Sequence, residues 1–322
     1  MGAYATRRLI GIPITVILTS MFVFLLVRFI PGSVVDVMVA QIEASAGSGV
    51  VVVDRAQIEH ELGLDRPVYV QYGQWVENIV IHGSFGKSLM GGKDITDEIF
   101  QRLPITFELG LMSLIIGILI SIPIGVFAAI RQDSIPDYIL RSISILLIAI
   151  PGFWLGTMVM IYPSIWWGWS PPMQLIPFAK DPIGNLGMFL IPSLVLGTSM
   201  TGSSMRMTRT MMLEVLRQDY IRTAWAKGLS ERVIVIRHAL KNALIPVVTI
   251  IGMQLPILIG GSVIIENIFQ LPGIGRLLLD SLSARDYPIV SGINLILATF
   301  VVFANLAVDL TYGLLDPRIH YQ

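Results

Sequence analysis

Long runs of uncharged, mainly apolar residues divide the chain into segments. A helix needs about 20 such residues to cross the hydrocarbon core of a membrane. Six runs reach this length: Leu9–Val27, Leu109–Ile130, Ser142–Ser164, Ile183–Met205, Asn242–Ile265 and Tyr287–Val308. In the fourth run, Gly197–Ser204 is rich in small residues, which favour close packing between membrane helices. The pattern therefore predicts an all-α polytopic membrane protein with six transmembrane helices.

Composition supports a membrane protein and excludes several kinds of chemistry. Of the 322 residues 54% are hydrophobic and only 14% are charged, whereas soluble domains carry about 25% charged residues. The net charge of zero gives no indication of nucleic-acid binding. Cysteine is absent and the four histidines are scattered, so disulfides, thiol catalysis and thiolate metal sites are excluded and a histidine metal site is disfavoured. We expect this chain to hold no metal or cofactor.

The distribution of lysine and arginine between short loops predicts the orientation, because cytoplasmic loops carry the excess. With the N-terminus inside, the cytoplasmic segments hold Arg7, Arg8, Arg131, Arg141, Arg206, Arg209, Arg217, Arg222, Lys227, Arg232, Arg237, Lys241 and Arg318. The two short outer loops hold Lys180, Arg276 and Arg285. Both termini are therefore predicted to be cytoplasmic.

The runs also suggest an organisation into three parts. Residues 1–30 form the first transmembrane helix, and residues 31–103 form an extracytoplasmic insert with short helices at Asp54–Leu62 and Pro67–His82. Residues 104–316 form the remaining core. That core includes a cytoplasmic loop at 206–241 and an outer loop at 266–287, in which Ile274–Leu282 is predicted to be a short apolar helix.

The segment Gly83–Gly92 carries a weak resemblance to a phosphate-binding loop. Its GKS ending matches the end of that motif, but the motif requires a glycine where this chain has Ile81. The predicted orientation also places the segment away from cytoplasmic ATP. We therefore do not interpret it as a nucleotide site.

The stretch Asp219–Pro246 is the long charged segment of the second half, and its pattern predicts two short amphipathic helices hinged at Gly228. Ser230 is the expected N-cap of the second helix. The predicted apolar stripe comprises Leu213, Leu216, Tyr220 and Ala224, followed by Leu229, Val233, Ile236, Leu240 and Leu244. Such a pair either presents a surface to a soluble partner or rests on anionic lipid, and the pattern alone leaves both open.

The predicted spans contain few groups that could perform chemistry. Ser199 and Gln254 lie at mid-depth, where each either bonds a neighbouring helix or lines a translocation path, and Glu266 ends the fifth run. Ion-coupled carriers place acidic or broken-helix sites at mid-membrane, so a self-contained secondary carrier or channel is the weaker alternative. A membrane enzyme is also disfavoured, because catalytic residues do not cluster. Active transport by this chain would need energy from another protein.

The Asp219–Pro246 segment resembles the coupling motif of ABC importer permeases. Arg222, Thr223, Ala224 and Gly228 occupy the matching positions, and of these Ala224 and Gly228 follow the general pattern. Further segments resemble the dipeptide, oligopeptide and nickel branch of that family, in its B-type subunit. They are LGLDRP at Leu62–Pro67, QYGQW at Gln71–Trp75, GSFGKSL at Gly83–Leu89, RLPITFELG at Arg102–Gly110, LPGIGRLLLD at Leu271–Asp280 and LLDPR at Leu314–Arg318.

The resemblance implies a type I importer permease in a bacterial or archaeal plasma membrane. Its implied partners are a homologous second permease, two cytoplasmic ATPases that use ATP and magnesium, and an extracytoplasmic solute-binding protein. The residues implied to contact the ATPases are Arg222, Thr223, Ala224, Ala226, Lys227, Gly228, Leu229, Ser230, Arg232 and Val233. Peptides are the expected solutes, although glutathione and nickel chelates are carried by similar subunits. The chain itself is expected to be non-catalytic.

Overall fold

The computed structural model is almost entirely helical in the residues it describes, which are 2–28, 35–36, 38–39, 55–61, 63–90, 92–170, 172 and 175–315. Side chains are described from residue 11 to residue 308. The helices are α1 Gly2–Arg28, α2 Arg55–Glu61, α3 Val68–His82, α4 Ile95–Ile130, α5 Ile135–Ala149, α6 Gly152–Trp167, α7 Pro182–Leu216, α8 Asp219–Ala226, α9 Glu231–Val233, the π-helix Ile234–Leu240, α10 Lys241–Ile268, α11 Ile274–Ser283 and α12 Tyr287–Leu315.

Among the described residues, five helical segments are long and apolar enough to cross a membrane, namely Gly11–Arg28, Ile95–Ile130, Pro182–Leu216, Glu231–Ile268 and Tyr287–Val308. A sixth crossing is formed if α5 and α6 are counted together, since they are joined at a bend of 97°. The predicted count of six is thus met only with this broken pair.

The run Ser142–Ser164 was expected to form one continuous helix, and this expectation is wrong. The helix stops at Ala149, and Ile150 adopts an extended backbone with ψ of 122°. Pro151 explains the break, because proline disfavours the helical conformation of the residue before it and has no N–H to donate. Its neighbour Gly152 then begins α6.

The short predicted helices of the insert and of the outer loop are confirmed. The helix α2 is followed by Gly63 with φ of 64°, and α3 ends at Gly83 with φ of 63°, both in the left-handed region that favours glycine. The helix α11 begins where the apolar pattern predicted and extends to Ser283.

The contacts within the chain define two compact units. The first unit comprises Met1–Thr6, Thr106–Leu271 and Phe303–Gln322, and the second comprises Arg7–Ile105 and Pro272–Val302. A buried apolar cluster of the second unit is built from Ile95, Ile99, Ile274, Leu277, Ile289 and Ile293.

In the first unit α7 is packed closely against its neighbours through small residues, as its sequence predicted. A Cβ atom added at Gly202 would lie 2.7 Å from the backbone oxygen of Ser144 in α5. A Cβ atom added at Gly125 in α4 would lie 2.7 Å from the backbone oxygen of Met205. Real Cβ atoms do not approach this closely, so glycine is what allows these backbones to meet.

Candidate coupling surface and polar sites

The turn between the two short amphipathic helices is a complete Schellman motif. The N–H of Gly228 donates to the carbonyl of Trp225 at 2.9 Å, and the N–H of Leu229 donates to the carbonyl of Ala224 at 3.4 Å. Gly228 has φ of 74°, the left-handed conformation that this motif requires at its C′ position. Gly228 therefore ends α8 and sets the direction in which the chain enters α9.

Ser230 occupies the N-cap position of α9, as predicted, but it caps with its backbone only. Its carbonyl accepts from the N–H of Ile234 at 3.1 Å, and its side chain makes no capping hydrogen bond. The Ser230 hydroxyl is therefore exposed to the surroundings of the helix pair rather than used to stabilise the helix start.

One face of the helix pair is anchored in the first unit through a buried apolar cluster. Its buried members are Ala129, Met212, Ile221, Ala224, Ile234, Val235, Ala239 and Ala243. Ala224, which the motif resemblance assigned to ATPase contact, lies in this cluster, so its small side chain serves packing within the chain. The cluster fixes the helix pair to α4 and α7.

The apolar stripe predicted for the second helix does not coincide with the face that is buried within the chain. A regular helical repeat pointed to Val233 and Ile236, which are 37% and 54% exposed, whereas the buried positions are Ile234, Val235 and Ala239. The segment Ile234–Leu240 is π-helical, and its wider turn shifts the residues that face the core relative to an α-helix. The sequence pattern gave no sign of this change of repeat.

Outside this cluster the helix pair exposes several apolar side chains. They are Tyr220, Trp225, Leu229, Val233 and Ile236. Among the other positions predicted to contact an ATPase, Arg222, Thr223, Ala226, Lys227, Gly228, Ser230 and Arg232 are also exposed. The sequence did not single out Trp225, and it placed Ile236 in the apolar stripe but not among the ATPase contacts, although each is a large apolar residue in a charged segment.

The helix pair also exposes basic side chains. Arg222 forms an exposed ion pair with Asp219 at 3.3 Å, which contributes little to stability because solvent screens it. Lys227, Arg232 and Arg237 are exposed as well. The face therefore combines apolar contact area with positive charge, a combination suited to a partner that offers carboxylates around an apolar groove.

A buried ion pair between α5 and α7 was not anticipated from the sequence. Arg209 in α7 donates from Nε to Oδ1 of Asp137 at 2.6 Å and from Nη2 to Oδ2 at 2.7 Å. Asp137, in the first turn of α5, is 0% exposed and also accepts from the N–H of Asp133 at 3.0 Å. The spacing along the sequence, 72 residues, gives no local signal that could have revealed the pair.

The three residues predicted to line a translocation path lie in different environments. Ser199 in α7 is exposed, and Gln254 in α10 is half-buried. Glu266, near the end of α10, is 0% exposed and accepts a hydrogen bond of 2.6 Å from the Thr106 hydroxyl. The Glu266 carboxylate is thus held inside the first unit.

The GSFGKSL loop of the second unit is closed by an acidic residue of the same chain. Asp286 accepts hydrogen bonds from the Ser88 hydroxyl and from the backbone N–H groups of Leu89 and Met90. These donors face a carboxylate and are therefore occupied. The following helix α4 is capped by Asp94, whose pKa is lowered by the N–H of Thr96.

Among the side chains that the structure describes, no group of three histidines, cysteines or carboxylates is arranged to hold a metal ion.

Comparisons with known proteins agree with this architecture. Residues 121–321 match the family described as "Binding-protein-dependent transport system inner membrane component", and residues 1–110 match the N-terminal family of the same membrane components. The oligopeptide transport system permease protein AppB of Bacillus subtilis is 39% identical over 100% of both chains. The dipeptide transport system permease protein DppB of Escherichia coli is 36% identical, again over 100% of both chains.

A solved structure supports the fold. The crystal structure of an amino acid ABC transporter with histidines matches with a TM-score of 0.50 and 14% identity, covering 67% of this chain and 94% of that chain. At this identity the likeness concerns the fold alone. Together with the two family matches and the full-length relatives, it shows that this chain belongs to the inner membrane components of binding-protein-dependent transport systems and is a permease subunit of an ABC importer of the peptide family.

Proposed function

We propose that this permease subunit carries peptides inward and receives the energy of ATP hydrolysis through the exposed face of its helix pair, residues 219–240. The observation that supports this most is the two-sided construction of the pair. One face is fixed within the first unit by buried residues such as Ile221 and Ile234, while Leu229 and Val233 are exposed.

This construction transmits movement as well as providing contact. A short helix that is anchored by fully buried side chains moves with the helices beneath it, because packed interfaces shift as units rather than deform continuously. A partner that pulls on the exposed face therefore displaces α4 and α7. Resting on anionic lipid would exploit the same basic and apolar residues but would supply no driving force.

The proposed partners follow from this role. A homologous second permease completes the path, two cytoplasmic ABC ATPases bind the coupling surfaces, and an extracytoplasmic binding protein delivers the solute. ATP and magnesium act on the ATPases, and this chain is non-catalytic. The distribution of lysine and arginine supports cytoplasmic termini and a cytoplasmic helix pair in a bacterial or archaeal plasma membrane.

Peptides are proposed as the solute because both full-length relatives are named for dipeptide or oligopeptide transport. Ser199 is our candidate for the path itself, since it lies on one face of α7 with Ser203, Arg206 and Thr210, at positions that are exposed or half-buried. Gln254 remains a candidate on α10. Glu266 is buried, so we propose that it supports the path indirectly, by accepting the hydrogen bond from Thr106 that joins α10 to α4.

Reconstitution of the assembled transporter in vesicles tests the proposal. Leu229→Glu and Val233→Glu are expected to abolish peptide-stimulated ATP hydrolysis, because each places a carboxylate in the apolar contact. Arg222→Glu is expected to weaken it, while Arg131→Glu, an exposed arginine of another loop, serves as the matched control. Undiminished stimulation in both glutamate variants would overturn the coupling role. Uptake of labelled dipeptides that does not depend on the ATPases would overturn the ATP-driven mechanism.

A further inference from the structure

The second unit contains a pocket of about 240 Å³ that transport does not explain. Its side chains come from the C-terminal end of α1, from α3, from the loop before α4 and from the start of α12. Among the residues that the structure describes, the lining includes two cations, Arg28 and Lys87, and several amide or hydroxyl side chains, but no carboxylate. A pocket lined in this way favours an anion.

Arg28 is held in place at this pocket by two neighbours. Its guanidinium donates to the Oε1 atom of Gln71 and lies over the ring of Phe24, with 5.2 Å from Cζ to the ring centroid. The amide nitrogen of Gln71 in turn donates to the carbonyls of Leu64 and Arg66 at 3.3 and 2.7 Å. Gln71 thus takes up one part of the guanidinium fork and fixes the direction of the rest.

A second donor of the pocket has no partner. The indole Nε1 of Trp75 is buried and makes no hydrogen bond in the part of the chain that the structure describes. Indole nitrogen can only donate, and an unpaired buried donor is costly. Trp75 is supported by Phe24 and Tyr72, at ring-centroid distances of 5.6 and 6.3 Å. Arg28 and Lys87 therefore offer charged donors that an acceptor-rich anion would satisfy, and the unpaired Trp75 belongs to the same lining.

The surroundings of the pocket indicate where such an anion comes from. The span α1 exposes Leu18, Phe22 and Leu26, apolar side chains suited to contact with acyl chains. Arg28 lies in the last turn of that span, at the level where lipid headgroups meet the hydrocarbon and where long basic side chains extend toward the interface. We propose that this pocket binds the phosphate group of an anionic phospholipid, with the acyl chains along α1.

Native mass spectrometry of the assembled transporter in detergent tests this site. The probes are dioctanoyl phosphatidylglycerol, dioctanoyl phosphatidylcholine and inorganic phosphate. Arg28→Gln and Lys87→Gln are each expected to weaken phosphatidylglycerol binding about tenfold, as loss of one charge-assisted hydrogen bond does. Lys93→Gln is the matched control, because Lys93 is exposed in the same loop region and lies outside the pocket lining. It is expected to bind like the unmodified protein.

Several outcomes would overturn the proposal. One is equal retention of phosphatidylglycerol by Lys87→Gln and by the unmodified protein, a comparison that holds even if Arg28→Gln fails to fold. Another is equal binding of phosphatidylcholine and phosphatidylglycerol. A site that takes inorganic phosphate but not the short-chain lipid would show an anion site without a lipid. None of these results depends on peptide transport, so the site and the proposed function are tested separately.

Discussion

Arg209 holds both carboxylate oxygens of Asp137 in a bidentate pair that joins α7 to the first turn of α5. Asp137 is 0% exposed and the Arg209 side chain only 14%. Because water cannot replace a lost partner at such a site, the pair ties together two helices whose close contact at Gly202 and Ser144 lies further along. The ion pair therefore stabilises the packing of α5 against α7 in the first unit.

We expect Arg209→Gln to reduce stability by about 1.5–3 kcal/mol, since it removes two charge-assisted hydrogen bonds from the buried Asp137 carboxylate and leaves it the longer contact with Nη2 of Arg141 at 3.6 Å. Arg206→Gln, three residues away on the exposed face of the same helix, is expected to change stability by about 0.5 kcal/mol or less. Thermal unfolding in detergent, followed by tryptophan fluorescence, measures both. Similar midpoints for the two variants would contradict a role for the pair.

A double replacement sharpens this prediction. Arg209→Met combined with Asp137→Leu removes both charges of the pair and is expected to lose less stability than the sum of the losses in Arg209→Met and in Asp137→Leu, because each single variant leaves one buried charge without this partner. If the losses of the single variants simply added, the two side chains would not be coupled.

Ile234 and Ile236 lie two positions apart in the π-helix but differ in environment. Ile234 is 0% exposed, whereas Ile236 is 54% exposed. Ile234→Ala is expected to cost about 2–5 kcal/mol of stability, the range for removing a buried isoleucine side chain to alanine. Ile236→Ala is expected to leave the unfolding midpoint unchanged and to lower peptide-stimulated ATP hydrolysis in the assembled transporter. A loss of stability in Ile236→Ala, together with an unchanged unfolding midpoint in Ile234→Ala, would contradict the assignment of Ile234 to the buried face and Ile236 to the exposed face.

Gly228 provides a test of backbone conformation alone, because a Cβ atom added there would meet nothing within 4 Å. Its φ of 74° disfavours other residues, by about 1–2 kcal/mol for an ordinary side chain and by less for asparagine. We expect coupled ATP hydrolysis to fall in the order glycine, Gly228→Asn, Gly228→Ala and Gly228→Pro, the last being incompatible with positive φ. Full coupling in Gly228→Pro would contradict the need for this turn.

Close packing of α7 is tested with two glycines of that helix. Gly202→Ala is expected to destabilise the protein by about 1–3 kcal/mol, since the new Cβ atom would meet the Ser144 backbone at 2.7 Å and force α5 away. Gly187→Ala is the control, because a Cβ atom there meets nothing within 4 Å. It is expected to be neutral or to stabilise by up to about 1 kcal/mol. Unfolding midpoints that do not separate the two variants would show that α5 adjusts freely.

The sequence predicted the spans correctly where apolar length decides, as in α4, α7, α10 and α12. It failed at Ser142–Ser164, where hydropathy is continuous but Pro151 breaks the helix. Mean hydropathy does not register that proline lacks the backbone N–H that a continuous helix needs. The rule for residues before proline could have revealed this break.

For the candidate coupling surface, too, the sequence predicted one part of the structure and tertiary packing decided the other. The sequence by itself determined that a charged, amphipathic helix pair with a glycine hinge interrupts the membrane core, and the resemblance in that segment identified the family. Only the tertiary structure decided which face is buried, because the π-helix at Ile234–Leu240 changes the repeat by which side chains return to the same face. It also brought Asp137 to Arg209 and Thr106 to Glu266, contacts that depend on how distant helices pack and that local sequence patterns do not record.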